Sequence, residues 1–347
     1  MDFSSFDRVE RRRRVRAITV MTVCALLIII AFLVSTAIGT IKLSPLDVVK
    51  TIFGAGTDRE SLILFQFRLP RIVLSILVGA GLAVSGCLIQ GMSRNALADP
   101  GILGINAGAG LMVVLFISFF PTDQLGSLFF LPFLALLGAG VTSALIYVLS
   151  YKKNEGLLPT RMILVGVAVA AAISAAMIIL TLRLDPESYQ FVATWLAGSI
   201  WGSNWSFVLA LLPWIVILIP YAAAKGHVLN VLNLGDSLAA GLGARIEKER
   251  LLLLAAAVGL AGACVSVSGG ISFVGLIAPH VARRLVGPKH ETLIPAAALV
   301  GALLVIVADT LGRWILQPSQ IPTGIVVAVI GAPYFLYLLA KAKTSYQ

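Results

Sequence analysis

The side chains that could do chemistry are few and scattered. Asp99 and Asp309 are the acids lying closest to long apolar runs, and both fall near the ends of those runs. A proton- or sodium-coupled carrier keeps ionisable groups inside its helix bundle, despite an insertion cost of roughly 2.5–3.5 kcal/mol each. No acid occupies the middle of an apolar run here, which disfavours that class. His227, His280 and His290 have no Cys or carboxylate companion at ligand spacing and compose no metal site. His280 reads instead as a helix-end cap or a loop-facing residue. Cys24, Cys87 and Cys264 lie in apolar runs without paired spacing and read as small core residues. No G-x-x-x-x-G-K-[ST] loop cradles a nucleotide phosphate, and no nucleophile–base set is present. The chain is not read as an enzyme. Any uphill transport would draw its energy from a partner.

The elements that carry these residues are membrane helices. Hydrophobic residues make up 59% of the chain and charged ones 12%, and the mean hydropathy is +0.99, far from a soluble domain. Several runs approach the roughly 20 residues that a helix needs to cross hydrocarbon. The fold class is all-α and polytopic, because a barrel would show short alternating segments instead. We place ten spans, at 17–39, 71–91, 101–119, 126–151, 160–182, 206–224, 251–268, 271–286, 292–311 and 323–339. Residues 1–16 form a basic tail, and residues 17–347 form one transmembrane domain. Because the first run is longer than a signal-peptide core and more spans follow, it is read as an uncleaved span.

Orientation follows from the basic residues. The net charge of +10 does not signal nucleic acid, because the cations cluster in short loops. With the N-terminus inside, only Lys42, Lys50, Arg59, Arg68, Arg71, Arg183 and Arg313 of the 26 Lys and Arg fall outside. Both termini are then cytoplasmic. Residues 251–282 are flanked by basic residues on both sides, so they cross an even number of times. At 1.5 Å per residue they make about 48 Å of helix, too long for one span and short for two. The predicted break is Ser268-Gly269-Gly270, between short helices that neighbours must shield. Gly79, Gly81 and Gly86, with Gly104, Gly108, Gly259 and Gly262, read as close helix-packing positions.

The longest mixed polar segment between two apolar runs is 225–250. Gly235-Asp236 can end one short helix and begin another, with Asp236 as the N-cap. Leu238, Leu242 and Ile246 recur every four residues as an apolar stripe. Such a helix can rest on lipid headgroups or dock another protein, and the pattern fits either.

Several motifs converge on one family. Arg68-Leu69-Pro70-Arg71, Gly79-Ala80-Gly81-Leu82-Ala83, Ser85-Gly86, Gln90-Gly91 and Arg94-Asn95-Ala96-Leu97-Ala98-Asp99-Pro100-Gly101 follow in order. Then come Gly235-Asp236 with Ala239 and Leu242-Gly243, and Gly270-Ile271-Ser272-Phe273-Val274-Gly275-Leu276 with Pro279-His280 and Arg283. Asp309 and Arg313, Ile321-Pro322-Thr323-Gly324 and Gly331-Ala332-Pro333-Tyr334-Phe335 close the series. Nearly the whole chain after Arg68 resembles the iron-siderophore, haem and cobalamin uptake permeases, the membrane subunits of type II ABC importers. Two departures are Ala96, where the family commonly has Pro, and Gln320, where it commonly has Glu.

The resemblance implies a multi-pass permease of the bacterial cytoplasmic membrane that imports a ferric siderophore or related iron chelate. A cobalamin or haem permease is the alternative within the family, and a gradient-driven carrier is the alternative class. The implied partners are a second permease subunit, two ATP-binding cassette subunits and an extracytoplasmic substrate-binding protein. This chain would hold no cofactor of its own, ATP and Mg belonging to the partner ATPase. Arg68, Arg71 and Arg313 would dock acidic residues of the binding protein; ordinary snorkelling is the other reading. Asn95 and Leu97, with Thr160 as a second lip, would form a cytoplasmic gate, although Asn95 also suits a helix cap. Leu234, Gly235, Asp236, Leu238, Ala239, Leu242 and Gly243 would couple to the ATPase. Trp195, Trp201 and Trp205 mark either an interfacial belt or a helix near the outer gate.

Overall fold

The computed structural model describes residues 3–39, 45–52, 54–120, 130–152, 156–157, 159–200 and 202–343. Lys42, Lys153, Trp201 and the first residues of the predicted fourth span, 126–129, lie outside them. The described helices in chain order are α1 (Phe3–Ala37), α2 (Pro45–Ile52), α3 (Asp58–Ser61), α4 (Leu69–Ser93), α5 (Ile105–Phe119), α6 (Leu131–Ser150) and α7 (Pro159–Thr181). They continue as α8 (Pro186–Leu196), α9 (Trp205–Ala224), α10 (Gly226–Asn233), α11 (Asp236–Gly241), α12 (Ile246–Ser268), α13 (Val274–Val286), α14 (His290–Ile315) and α15 (Thr323–Lys343). A two-residue antiparallel hairpin, Tyr151–Lys152 with Gly156–Leu157, joins α6 to α7.

Each predicted span corresponds to one described helix, and helical structure also extends beyond the predicted bounds. The basic tail is helical from Phe3 and continuous with the first span. The second span begins earlier than residue 71. Thr57 and Glu60 form a reciprocal capping box at α3, and a π-helical stretch, Leu62–Arg68, runs directly into α4. The loop at 185–204 contains α8, begun by Asp185 accepting from the amides of Glu187 and Ser188 at 3.0 Å.

Helix α4 is the axis of the bundle. It packs against α14, α12, α13 and α9, and its most apolar window is 78% buried, against 6% for α7. The antiparallel pair α4/α14 is fixed at three levels. Arg71 meets Asp309, a Cβ on Gly79 would overlap the carbonyl of Gly301, and Gly91 lies beside the His290 ring. Backbones approach this closely only where side chains are absent. Gly86 lies against the backbone of Gly275 in the same way, drawing α13 onto α4.

The predicted break in the seventh and eighth spans occurs where expected. α12 stops at Ser268, and Gly269 takes φ +66° beneath the Trp195 carbonyl, where a Cβ would clash. α13 has 13 residues, about 20 Å of helix and too short to cross alone. Contacts with α4, α14, α15 and α1 cover it. His280 lies within α13 and packs edge-on against Tyr334 at 5.9 Å, so it neither caps a helix end nor faces a loop. Cys24, Cys87 and Cys264 are buried, free thiols.

Candidate functional site

The residues singled out by motif gather at the two ends of α4, a rod of about 38 Å at 1.5 Å per residue. At its N-terminal end, Arg71 donates to Asp309 through Nε at 3.0 Å and Nη2 at 2.8 Å. Arg313, one turn along α14, approaches the same carboxylate at 3.1 Å, and the Thr323 hydroxyl donates to it at 3.0 Å. Asp309 is 1% exposed, and the hydrogen bonds from Arg71 and Thr323 with the Arg313 ion pair explain how it stays there. Arg71 also donates to the Gln320 side-chain carbonyl at 2.6 Å. The neutral amide at this departure from the family pattern thus still accepts from the arginine, without a second negative charge.

Arg68 and Arg313 reach the C-terminus of α1. Arg68 donates to the Thr36 carbonyl, while Arg313 donates to the carbonyls of Ser35 and Ile38 and to the Ser35 hydroxyl. Cations suit the orphan carbonyls of a helix end. The three arginines predicted to face a docking partner are therefore brought together, but each is turned toward the protein's own backbone or acids. They line one side of a cavity of about 720 Å³ with the more exposed Arg59 at its edge. A resemblance to residue types alone gave no sign of the α1 carbonyls.

At the C-terminal end of α4, Arg94 adopts a left-handed conformation at φ 51°. Its guanidinium meets Asp236 Oδ1 at 2.7 Å, and Arg250 from α12 meets both oxygens of the same carboxylate at 2.7 and 3.1 Å. Asp236 does not cap α11. Gly235, at φ +109°, occupies the cap position, and Asp236 is the first helical residue, its carboxylate taken by two arginines. The charges of Arg94 and Arg250, opposite to that of Asp236, are visible in the sequence, but their proximity to it is not.

Two more polar links clamp the same segment to the bundle. Lys225 pairs with Glu249 at 2.8 Å, a hydrogen bond that raises the lysine pKa from its ordinary value. Asn230 donates to Glu291 at 2.8 and 2.9 Å and contacts His290 Nδ1 at 2.8 Å. Ala239 is the buried residue of α11. Leu229 and Leu232 are buried as well, whereas Leu234, Leu238 and Leu242 face the other way, 57%, 60% and 67% exposed. A groove of about 410 Å³ lies beside Leu242 and Gly243, floored by α10 and the start of α12. Lys225, Asn230 and Asp236 are held by the bundle while these three leucines face away, the arrangement of an adhesive surface. Ile246, the third member of the predicted stripe, is half-buried and does not extend that surface.

The predicted gate residues follow Arg94. Asn95 accepts from the Leu97 amide at 2.9 Å, closing a turn on itself, and Asp99 caps the following 3-10 turn through Gly101 at 2.9 Å. Thr160 stands exposed in the first turn of α7. No hydrogen bond between described residues joins it to Asn95 or Leu97. Trp195 packs on the core, and Trp205 donates to the Phe65 carbonyl at 2.8 Å.

The chain is similar to known transport proteins along nearly all its length. Residues 27–341 match the FecCD transport family. It is 53% identical over 332 residues to the Iron(3+)-hydroxamate import system permease protein FhuG of Bacillus subtilis (strain 168), covering 94% of this chain and 98% of that protein. The Iron-uptake system permease protein FeuC of the same organism is 40% identical over 324 residues, covering 92% and 96%. A solved inward-facing conformation of a putative metal-chelate type ABC transporter superposes with a TM-score of 0.82 at 33% identity, covering 93% of this chain and 99% of that one.

Proposed function

Because the chain belongs to the FecCD transport family, we propose that it is the membrane permease subunit of an ATP-driven importer that carries a ferric siderophore, or a related iron chelate, into the cytosol. The observation that carries this reading is the outward ridge of Leu234, Leu238 and Leu242, on a segment that Lys225, Asn230 and Asp236 tie to the bundle. A transport subunit without its own phosphate loop needs such a surface for an ATPase. Leu242 and the groove beside it suit a groove-filling helical contact of that kind. Nothing in this chain would bind the nucleotide; ATP and Mg would sit on the partner.

A second permease subunit would complete the pathway, and α7, with 6% of its most apolar window buried, offers a large face to such a neighbour or to lipid. On the opposite side, Arg68, Arg71 and Arg313 outnumber Asp309 around the outer cavity. Their field would steer the acidic surface of a substrate-binding protein even though their hydrogen bonds are internal. Asn95, Leu97 and Thr160 would close the cytoplasmic side, and the assembly would lie in the bacterial cytoplasmic membrane.

The test is reconstitution of the permease, its ATPase and its binding protein in proteoliposomes without ion gradients. ATP-dependent entry of radiolabelled ferric siderophore is expected. Entry that needs no ATPase and follows an imposed ion gradient would overturn the reading.

A further inference from the structure

A cavity of about 640 Å³ opens where α1 meets the turn between α13 and α14. Its lining includes Arg13, Arg14, Arg16, Arg284 and Lys289, with Glu291 as the acid among them. Both oxygens of the Glu291 carboxylate accept from the Asn230 amide nitrogen, at 2.9 and 2.8 Å, so it is directed toward α10. Arg16 donates to the Arg284 backbone carbonyl at 3.0 Å, which fixes the α1 side of the cavity to the α13 side. The N-terminus of the 26-residue α14 opens beside it and adds its positive dipole end.

The setting selects the kind of anion. The cations stand at the end of α1 from which its apolar span departs, and Val15 and Ile18, next along the helix, are 57% and 61% exposed. Arg284 also lies over the Tyr337 ring of α15, 5.9 Å from its centre, as amphipathic side chains do at a membrane surface. A soluble anion would use the cations alone. A lipid would use the cations for its phosphate and the exposed apolar side of α1 for its chains. We propose that this cavity binds the headgroup of an anionic phospholipid of the inner leaflet, clamping α1 to the α13–α14 turn. The site is independent of which chelate the protein carries.

Native mass spectrometry of the full-length protein in neutral detergent tests this, with phosphatidylglycerol titrated against phosphatidylcholine of the same chains. Saturable retention of phosphatidylglycerol over phosphatidylcholine is expected. Arg284→Gln/Lys289→Gln should weaken it about 25-fold, at roughly fivefold per charge removed. Arg245→Gln/Lys248→Gln, the same charge change on the coupling segment, should leave it unaltered. Equal retention of the two lipids by the unmodified protein would overturn the proposal whether or not the variants fold. So would equal losses in both double variants, or displacement of the lipid by millimolar inorganic phosphate, which would point to a soluble anion.

Discussion

Arg94 and Asp236 lie 142 residues apart in the chain and 2.7 Å apart in the fold. This contact joins the residue that ends α4 to the residue that begins α11. Asn95 and Leu97, the proposed gate residues, lie one and three positions after Arg94, so movement of the proposed coupling segment would be transmitted to them through one carboxylate. Both partners are partly exposed, at 39% and 47%. Exposed pairs contribute about 0.2–1 kcal/mol each. Arg94→Gln, which leaves the Asp236–Arg250 pair in place, should therefore shift the Tm by only a few degrees, while ATP-driven uptake falls at least tenfold. A large Tm loss with proportional loss of uptake would instead make Arg94 a plain stability residue.

Leu242→Arg addresses the docking ridge itself. Leu242 is 67% exposed in the isolated chain, so the arginine meets solvent and the fold should be untouched. Burying that charge in an interface is costly, so the ATPase should no longer co-purify while span insertion stays normal. Unchanged co-purification and uptake would remove the ridge from the coupling mechanism.

The outer cluster should respond differently to its two acceptors. Asp309→Asn leaves Arg71 and Arg313 without a buried counter-charge and should cost about 3–5 kcal/mol, seen as lost thermal stability and poor membrane accumulation. Gln320→Glu adds a carboxylate against Arg71 at an exposed site and should change stability by less than about 1 kcal/mol. If the two variants behaved alike, the cluster would not be organised around Asp309.

Helix approach can be tested with a single methyl group. A Cβ on Gly86 would overlap the Gly275 carbonyl, whereas one on Gly140 would meet nothing within 4 Å. Gly86→Ala should lower stability by about 1–3 kcal/mol through overpacking. Gly140→Ala should be neutral or slightly favourable. Thermal unfolding of the detergent-solubilised variants, side by side, reads the difference.

The amino-acid sequence by itself determined the all-α class and the order of the apolar helices. Run length is set against a bilayer of fixed thickness, and the backbone must satisfy itself within each helix. It also determined the break at Gly269 and the polar segment that carries the leucines, because glycine conformation and helical period are local properties. What it left open was rotation about each helix axis and the partners brought in from far away. Arg68 finds its carbonyl 32 residues away and Arg313 finds its own 278 residues away. Asp236, expected to cap its own helix, is claimed instead by arginines from α12 and the end of α4. A carboxylate accepts from whichever donor packing brings nearest, and two guanidinium groups outcompete backbone amides for it. Only the assembled bundle decides which donors those are.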